Sequence, residues 1–261
     1  MNSHEIDFRI YGEELQCLEV ELDPGESVIA EAGSFMMMDS NILMETIFGD
    51  GTDKQQGFLS KFLSAGKRVL TGESLFMTQF THTGVGKKHV HFASPYPGKI
   101  IPLKLWELDG KVICQKDAFL CAAKGVAVGI EFQRRLGTGL FGGEGFIMQK
   151  LEGDGMAFMH AGGMIIEKNL HPGEKLMIDT GCLVGFAGQI QYDIEFIKGV
   201  KNVIFGGEGL FYASLSGSGR VWIQSLPVSR LASRILSYGS IMRRKEEGSV
   251  LGPLGNLLDG D

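Results

Sequence analysis

The chain has 261 residues, 44% hydrophobic and 21% charged, with a net charge of −6, which is ordinary globular material sized for one large domain or two or three small ones. That acidic balance argues against a nucleic-acid partner, which requires clustered Lys and Arg, and no run of 18 apolar residues exists to span a membrane. Glycine is the outlier: 38 residues, about twice the usual share, beside only 7 prolines and no low-complexity tract, so it is assigned to tight turns and bulges.

In chain order, the first ten residues carry Glu5, Asp7 and Arg9 and no apolar signal region, so a cytoplasmic setting is expected. Cys17, Cys114, Cys121 and Cys182 form no C-x-x-C pair and read as buried thiols of a reducing compartment. "DPGESVIAEAGSFMM" (23–37) opens with a Pro-Gly turn and places Val28, Ala30 and Ala32 on one side of a strand. "GFLSKFLSAGKRVL" has Phe58, Leu59, Phe62 and Leu63 at helical spacing, which predicts an amphipathic helix inserted near 57–67. Leu75, Met77 and Gln79 alternate again and lead to Gly84-Val85-Gly86. Further strands are expected at Phe146-Ile147-Met148 and Leu210-Phe211-Tyr212, each bounded by glycine and closed by a Gly-Asp-Gly or Gly-Ser-Gly turn. Leu231, Ile235, Leu236 and Met242 predict a second helix, followed by a Gly-rich tail, "GPLGNLLDGD", expected to be mobile.

These elements repeat three times. "FGGEG" occurs at 141–145 and 205–209, and "TGESLFMTQF" carries a weaker copy with Glu73 in place of Glu144 and Glu208. "DPGESVIAEAGSF" recurs as "HPGEKLMIDTGCL" (171–183) and, interrupted by "WELDGKVICQ", as "YPGKIIPLKL" and "KDAFLCA". Pro24, Pro97 and Pro172 therefore sit 73 and 75 residues apart. The segmentation that follows is 1–96 (unit 1, with the inserted helix), 97–171 (unit 2), 172–227 (unit 3) and 228–261 (C-terminal helix and tail). Short strands cut every 8–12 residues suggest all-β sandwich or barrel units.

"GTGLFGGEG" (137–145) contains G-x-G-x-x-G, the dinucleotide fingerprint. A phosphate cradle needs a helix after it, but "FIMQKLEGDG" reads as strand and turn, and the third unit lacks the first two glycines. No cofactor is assigned. Glu73, Glu144 and Glu208 could hold an ion or ligand; three equivalent copies favour a structural role, accepting backbone N–H groups or pairing with a basic neighbour. "HVH" (His89, His91) resembles part of a cupin metal motif, although no carboxylate follows it. Counting from the second glycine of each G-x-G, the third residue is His89, Phe158 or Trp222 and the fifth is His91, His160 or Gln224. That alternation reads as packing between units, with Val90, Met159 and Ile223 facing a core. Lys87-Lys88-His89 with Lys99, and Arg134-Arg135, read as solvated faces. No G-x-S-x-G or P-loop lysine is present, and no Cys has a spacing-defined His partner, so no catalytic residue is assigned.

On "AGKRVLTGESLFMTQF", "AFLCAAKGVAVG", "LFGGEGFIMQKLEGDGMAFMHAGG", "LHPGEKLMIDTGCLVGF" and "LPVSRLASRIL", the chain resembles the mitochondrial biogenesis (altered inheritance of mitochondria) family, known in bacteria as a domain of unknown function. The resemblance covers nearly the whole chain. It implies three domains like the tryptophan RNA-binding attenuation protein, each a short double-stranded β-helix, and a homotrimer forming a pseudo-ninefold ring of domains. It brings no catalytic residues. The expectation is a non-enzymatic, ring-forming scaffold or binding protein, with an unidentified protein or a membrane surface as a further partner. The alternatives are a cupin-like metal enzyme using His89 and His91, and binding of RNA or a small ligand in clefts between units.

Overall fold

The computed structural model describes residues 3–31, 33–48, 76–134, 146–196 and 211–247. The helix expected near 57–67, the G-x-G-x-x-G stretch, and Glu73, Glu144 and Glu208 lie outside the described residues. Within them the chain is nearly all β, with seventeen strands, one α-helix and no barrel.

One pairing scheme recurs along the chain. In its first occurrence β2 (Cys17–Leu22) turns a corner into β3 (Ser27–Glu31), and β4 (Phe35–Met38) into β5 (Ile42–Phe48). β6 (Phe76–His82) then runs between β3 and β5, and β7 (Lys88–Ala93) between β2 and β4. The second occurrence is β8 (Gly98–Lys104), β9 (Lys111–Gln115), β10 (Phe119–Ala123) and β11 (Ala127–Arg134). Here β12 (Phe146–Glu152) lies between β9 and β11, and β13 (Met156–Gly162) between β8 and β10. In the third, β14 (Ile165–Leu170) and β15 (Lys175–Asp179) flank one side of β17 (Phe211–Gln224), and β16 (Leu183–Phe196) the other. β1 (Asp7–Tyr11) caps β2. All of these pairs are antiparallel.

The repeated Pro-Gly-Glu makes the same corner twice. Glu26 Oε2 accepts the Asp23 N–H at 2.8 Å while the Glu26 N–H returns to the Asp23 carbonyl at 2.9 Å. His171 and Glu174 repeat both bonds at 3.0 Å. Gly25 and Gly173, at φ +88° and +87°, supply the left-handed residue that Pro-Gly turns require. Gly217-Ser218-Gly219, expected to be a turn, behaves differently: β17 bends through it without breaking. Gly217 (φ +123°) stands opposite Ile190, and Gly188 (φ +93°) opposite Gly219, so β16 and β17 bend together and keep their ladder. A Cβ on Gly217 would sit 2.1 Å from the Gln189 carbonyl oxygen, and only glycine fits.

Each occurrence encloses a core that borrows from its neighbour. Leu18, Val20, Val28, Phe80, Val90 and Phe92 pack with Leu120, Cys121 and Phe158. Leu103, Leu105, Val112, Leu151 and Met159 pack with Ile29, Val184 and Trp222. Leu170, Ile178, Leu183, Phe186 and Leu215 pack with Phe146 and Met148. Val90 and Met159 are buried as expected, and Ile223 is half-buried against the third core; there Trp222 and Gln224, on the opposite side of the strand, are buried as well. The helix expected after the third unit is present as α1 (Val228–Glu247), and Ile235, Leu236 and Tyr238 on it are exposed. No described helix is long and apolar enough to cross a membrane.

Candidate functional site

His89 and His91 share one face of β7, and strand register places carboxylates opposite both: Glu21 pairs with His89 and Glu19 with His91. His91 Nε2 lies 2.9 Å from Glu19 Oε2. His89 Nε2 lies 3.3 Å from Glu21 Oε2, and its Nδ1 3.1 Å from Asp39 Oδ2. Lys87 also bonds Glu21, and its ammonium, with His89 nearby, holds that carboxyl below its ordinary range. Lys87, Glu21, His89 and Asp39 thus form one chain of contacts, and His91 and Glu19 a separate pair. Among the described residues no group of three or more His, Cys, Asp or Glu side chains is placed to hold a metal ion. The carboxylates were missed from sequence, though Glu19 and Glu21 show the same period of two as His89 and His91.

The remaining equivalents, His160 and Gln224, stand at the matching ends of β13 and β17, on different sheets from His91. Gln224 fastens two segments: its Oε1 accepts the Gly162 N–H and its Nε2 donates to the Gly181 carbonyl, both at 2.8 Å. His160 is buried and neither ring nitrogen finds a partner of hydrogen-bond geometry among the described residues. Desolvation pulls its pKa down to about 4, offset only in part by a Tyr96 main-chain group. The Tyr96 ring meets it edge-on at 4.4 Å. His160 packs against Tyr96, and Gln224 fastens the Gly162 and Gly181 segments. The thiols of Cys114 and Cys121 are fully enclosed, and burial raises their pKa.

A larger feature lies at the sheet edges. Two main-chain seams join successive occurrences of the scheme. β3 pairs with β10 through Ala30↔Cys121, Ile29↔Ala122 and Val28↔Ala123; β9 pairs with β16 through Cys114↔Gly185, Ile113↔Phe186 and Val112↔Ala187. One edge of each kind is left over. β15 is the third counterpart of β3 and β9, and β4 the third counterpart of β10 and β16; no other described strand pairs with either on the open side. Exposure follows. The five residues of β10 are all buried, while Phe35, Met36, Met37 and Met38 of β4 are 41%, 53%, 49% and 38% exposed. Ile29, enclosed in β3, contrasts with Met177 at the same place in β15, 64% exposed. The run "FMMM" was the available signal, but without pairing partners it reads as any buried strand.

A cleft of about 690 Å³ opens beside the bend in β16, lined by Lys111, Glu131, Phe186, Gln189 and Tyr192. Lys111 pairs with Glu131 at 3.1 Å across its rim.

Residues 8–226 match the profile of the family described as mitochondrial biogenesis AIM24. An uncharacterised protein of Streptococcus pyogenes serotype M6 is 31% identical over 225 residues, which is 85% of this chain and 86% of that protein. A crystal structure of a protein from Streptococcus pyogenes is similar with a TM-score of 0.68 and 26% identity, over 90% of this chain and 100% of the other.

Proposed function

The chain belongs to the mitochondrial biogenesis AIM24 family, and we propose that it is a non-enzymatic scaffold or binding protein that works as a ring of three identical copies. The observation that supports this is the pair of leftover edges: among the described residues, a seam used twice inside the chain has one β15 edge and one β4 edge unfilled. Open edges with exposed large apolar side chains invite pairing, and unlike edges meeting head to tail generate closed rings when the rotation permits. Size-exclusion chromatography with light scattering tests the reading. Three copies of 28.4 kDa give about 85 kDa; a strict monomer at micromolar concentration contradicts it.

The cleft beside the β16 bend supports a second reading, a small ligand with an apolar ring and hydrogen-bonding groups. Thermal shift against a library of such compounds tests it, and no shift at millimolar ligand removes it. The cupin-like alternative has less behind it, because the ring nitrogens of His89 and His91 that have partners meet carboxylates. Stoichiometric metal in the purified protein would restore that alternative.

A further inference from the structure

The two internal seams share more than their strands; they share a register. The alignment is anchored by an irregularity in the same place three times, where the pairing of β4, β10 and β16 with the strand beside each slips between Phe35 and Met37, Phe119 and Cys121, and Leu183 and Gly185. Phe35, Phe119 and Leu183 are therefore equivalent, as are Glu31, Gln115 and Asp179, which end β3, β9 and β15. In these terms both seams obey one rule. The residue before Glu31 or Gln115 (Ala30, Cys114) faces the second residue after Phe119 or Leu183 (Cys121, Gly185), and the pairing then runs antiparallel for two more positions.

Resting on the self-assembly reading above, we infer that β15 of one copy adds to β4 of a second copy by that rule, pairing Ile178 with Met37, Met177 with Met38 and Leu176 with Asp39. The side chains agree. At the middle position Ile29 enters the neighbouring core inside the chain and Ile113 packs against the next, whereas Met177 has no such neighbour and is exposed. Joined this way, Met177 gains the enclosure of Ile29 and β4 that of β10. Asp39 departs from the pattern, standing where Ala123 and Ala187 are buried. Its carboxylate is drawn aside by the His89 main-chain N–H at 2.9 Å, which keeps the charge off the seam. The partner is a second copy of this chain, because the missing strand on each side is one the chain itself supplies.

Cysteine cross-linking tests the register. Cys17→Ser and Cys182→Ser remove the two half-exposed thiols and leave only the enclosed Cys114 and Cys121. Met177→Cys protein is mixed with Met38→Cys protein, and Ile178→Cys with Met37→Cys. Adjacent pairs in an antiparallel ladder alternate in type, so one of the two mixtures presents the closely spaced geometry that a disulfide needs. The expected result is a covalent dimer in at least one mixture and none in any single variant. A covalent dimer in a single variant means that like edges meet, which overturns the inference. So does cross-linking confined to an out-of-register control, Met177→Cys with Phe35→Cys. Absence of every cross-link in protein that light scattering shows to be oligomeric overturns the register while leaving self-assembly standing. A monomeric mixture overturns both.

Discussion

Asp39 and His89 are joined three ways at the end of β4: Asp39 Oδ2 accepts the His89 main-chain N–H at 2.9 Å, lies 3.1 Å from its Nδ1, and the Asp39 N–H donates to the His89 carbonyl at 2.9 Å. Burial lowers the imidazole pKa, but hydrogen bonds to Asp39 and Glu21 outweigh it, and the net shift is upward. A His with a raised folded pKa contributes stability that is complete below its unfolded value near 6.5 and is lost as pH rises through the folded value. NMR titration is expected to place His89 above 6.5, and Asp39→Asn to bring it down. An unchanged midpoint in Asp39→Asn would show that the pair is not coupled.

Glu31 and Gln115 hold equivalent places, but Gln115 is a neutral amide that donates its Nε2 hydrogen to the Thr180 carbonyl, whereas Glu31 is a buried carboxyl. Burial, aided by the Asp117 carboxylate, raises the Glu31 pKa to about 7. A carboxyl that keeps its proton in the folded state costs stability as pH climbs from its unfolded value of about 4.5 to about 7, and the cost is constant above that. Glu31→Gln is expected to stabilise the protein by roughly 1–3 kcal/mol at pH 8 and by little at pH 4. Paired urea unfolding curves measure this, and equal gains at both pH values would refute the titration argument.

His160 gives the opposite acid response. With its folded pKa at about 4, the unfolded chain takes up a proton first as pH falls from about 6.5 to about 4, so stability drops by at most about 3 kcal/mol over that range. His160→Gln, which copies the chemistry of Gln224, is expected to remove that part of the slope. What remains includes His4, whose Nδ1 accepts the Ser27 N–H at 2.9 Å and whose pKa burial also lowers. Thermal melts from pH 7 to 4 test it, and an unchanged slope in the variant would show that His160 is not the titrating group.

Gly217→Ala is expected to cost at least about 2 kcal/mol, because the φ of +123° is strained for alanine and the new methyl group meets the Gln189 carbonyl. Gly173→Ala provides the comparison: its φ is also positive at +87°, but no atom lies within 4 Å of the added carbon, so it pays only for the backbone. Equal losses in the two would show that the clash at Gly217 is relieved by local shifts.

Much of this architecture was legible in the sequence, because glycine and proline constrain the backbone locally. Pro24-Gly25 and Pro172-Gly173 announce their corners, and the spacing of Leu231 and Ile235 announces α1. Gly217-Ser218-Gly219 misled for a related reason: glycine permits a turn without requiring one, and the long ladder between β16 and β17 decides in favour of a bend. The His89 and His91 contacts were invisible, since Glu19 and Glu21 lie some seventy residues away and only strand register brings them opposite. The open edges were invisible too. Met177 differs from Ile29 by being exposed where Ile29 is enclosed, a property no residue type reports.

The core around Leu103 and Met159 also holds Ile29 and Met77 from upstream and Val184, Ala187 and Trp222 from downstream. No third of this polypeptide is autonomous: excising either flank would strip side chains from the middle and leave it with an unfinished interior. A lone segment would therefore need other copies of itself to finish its core, a need that covalent tethering meets within this chain.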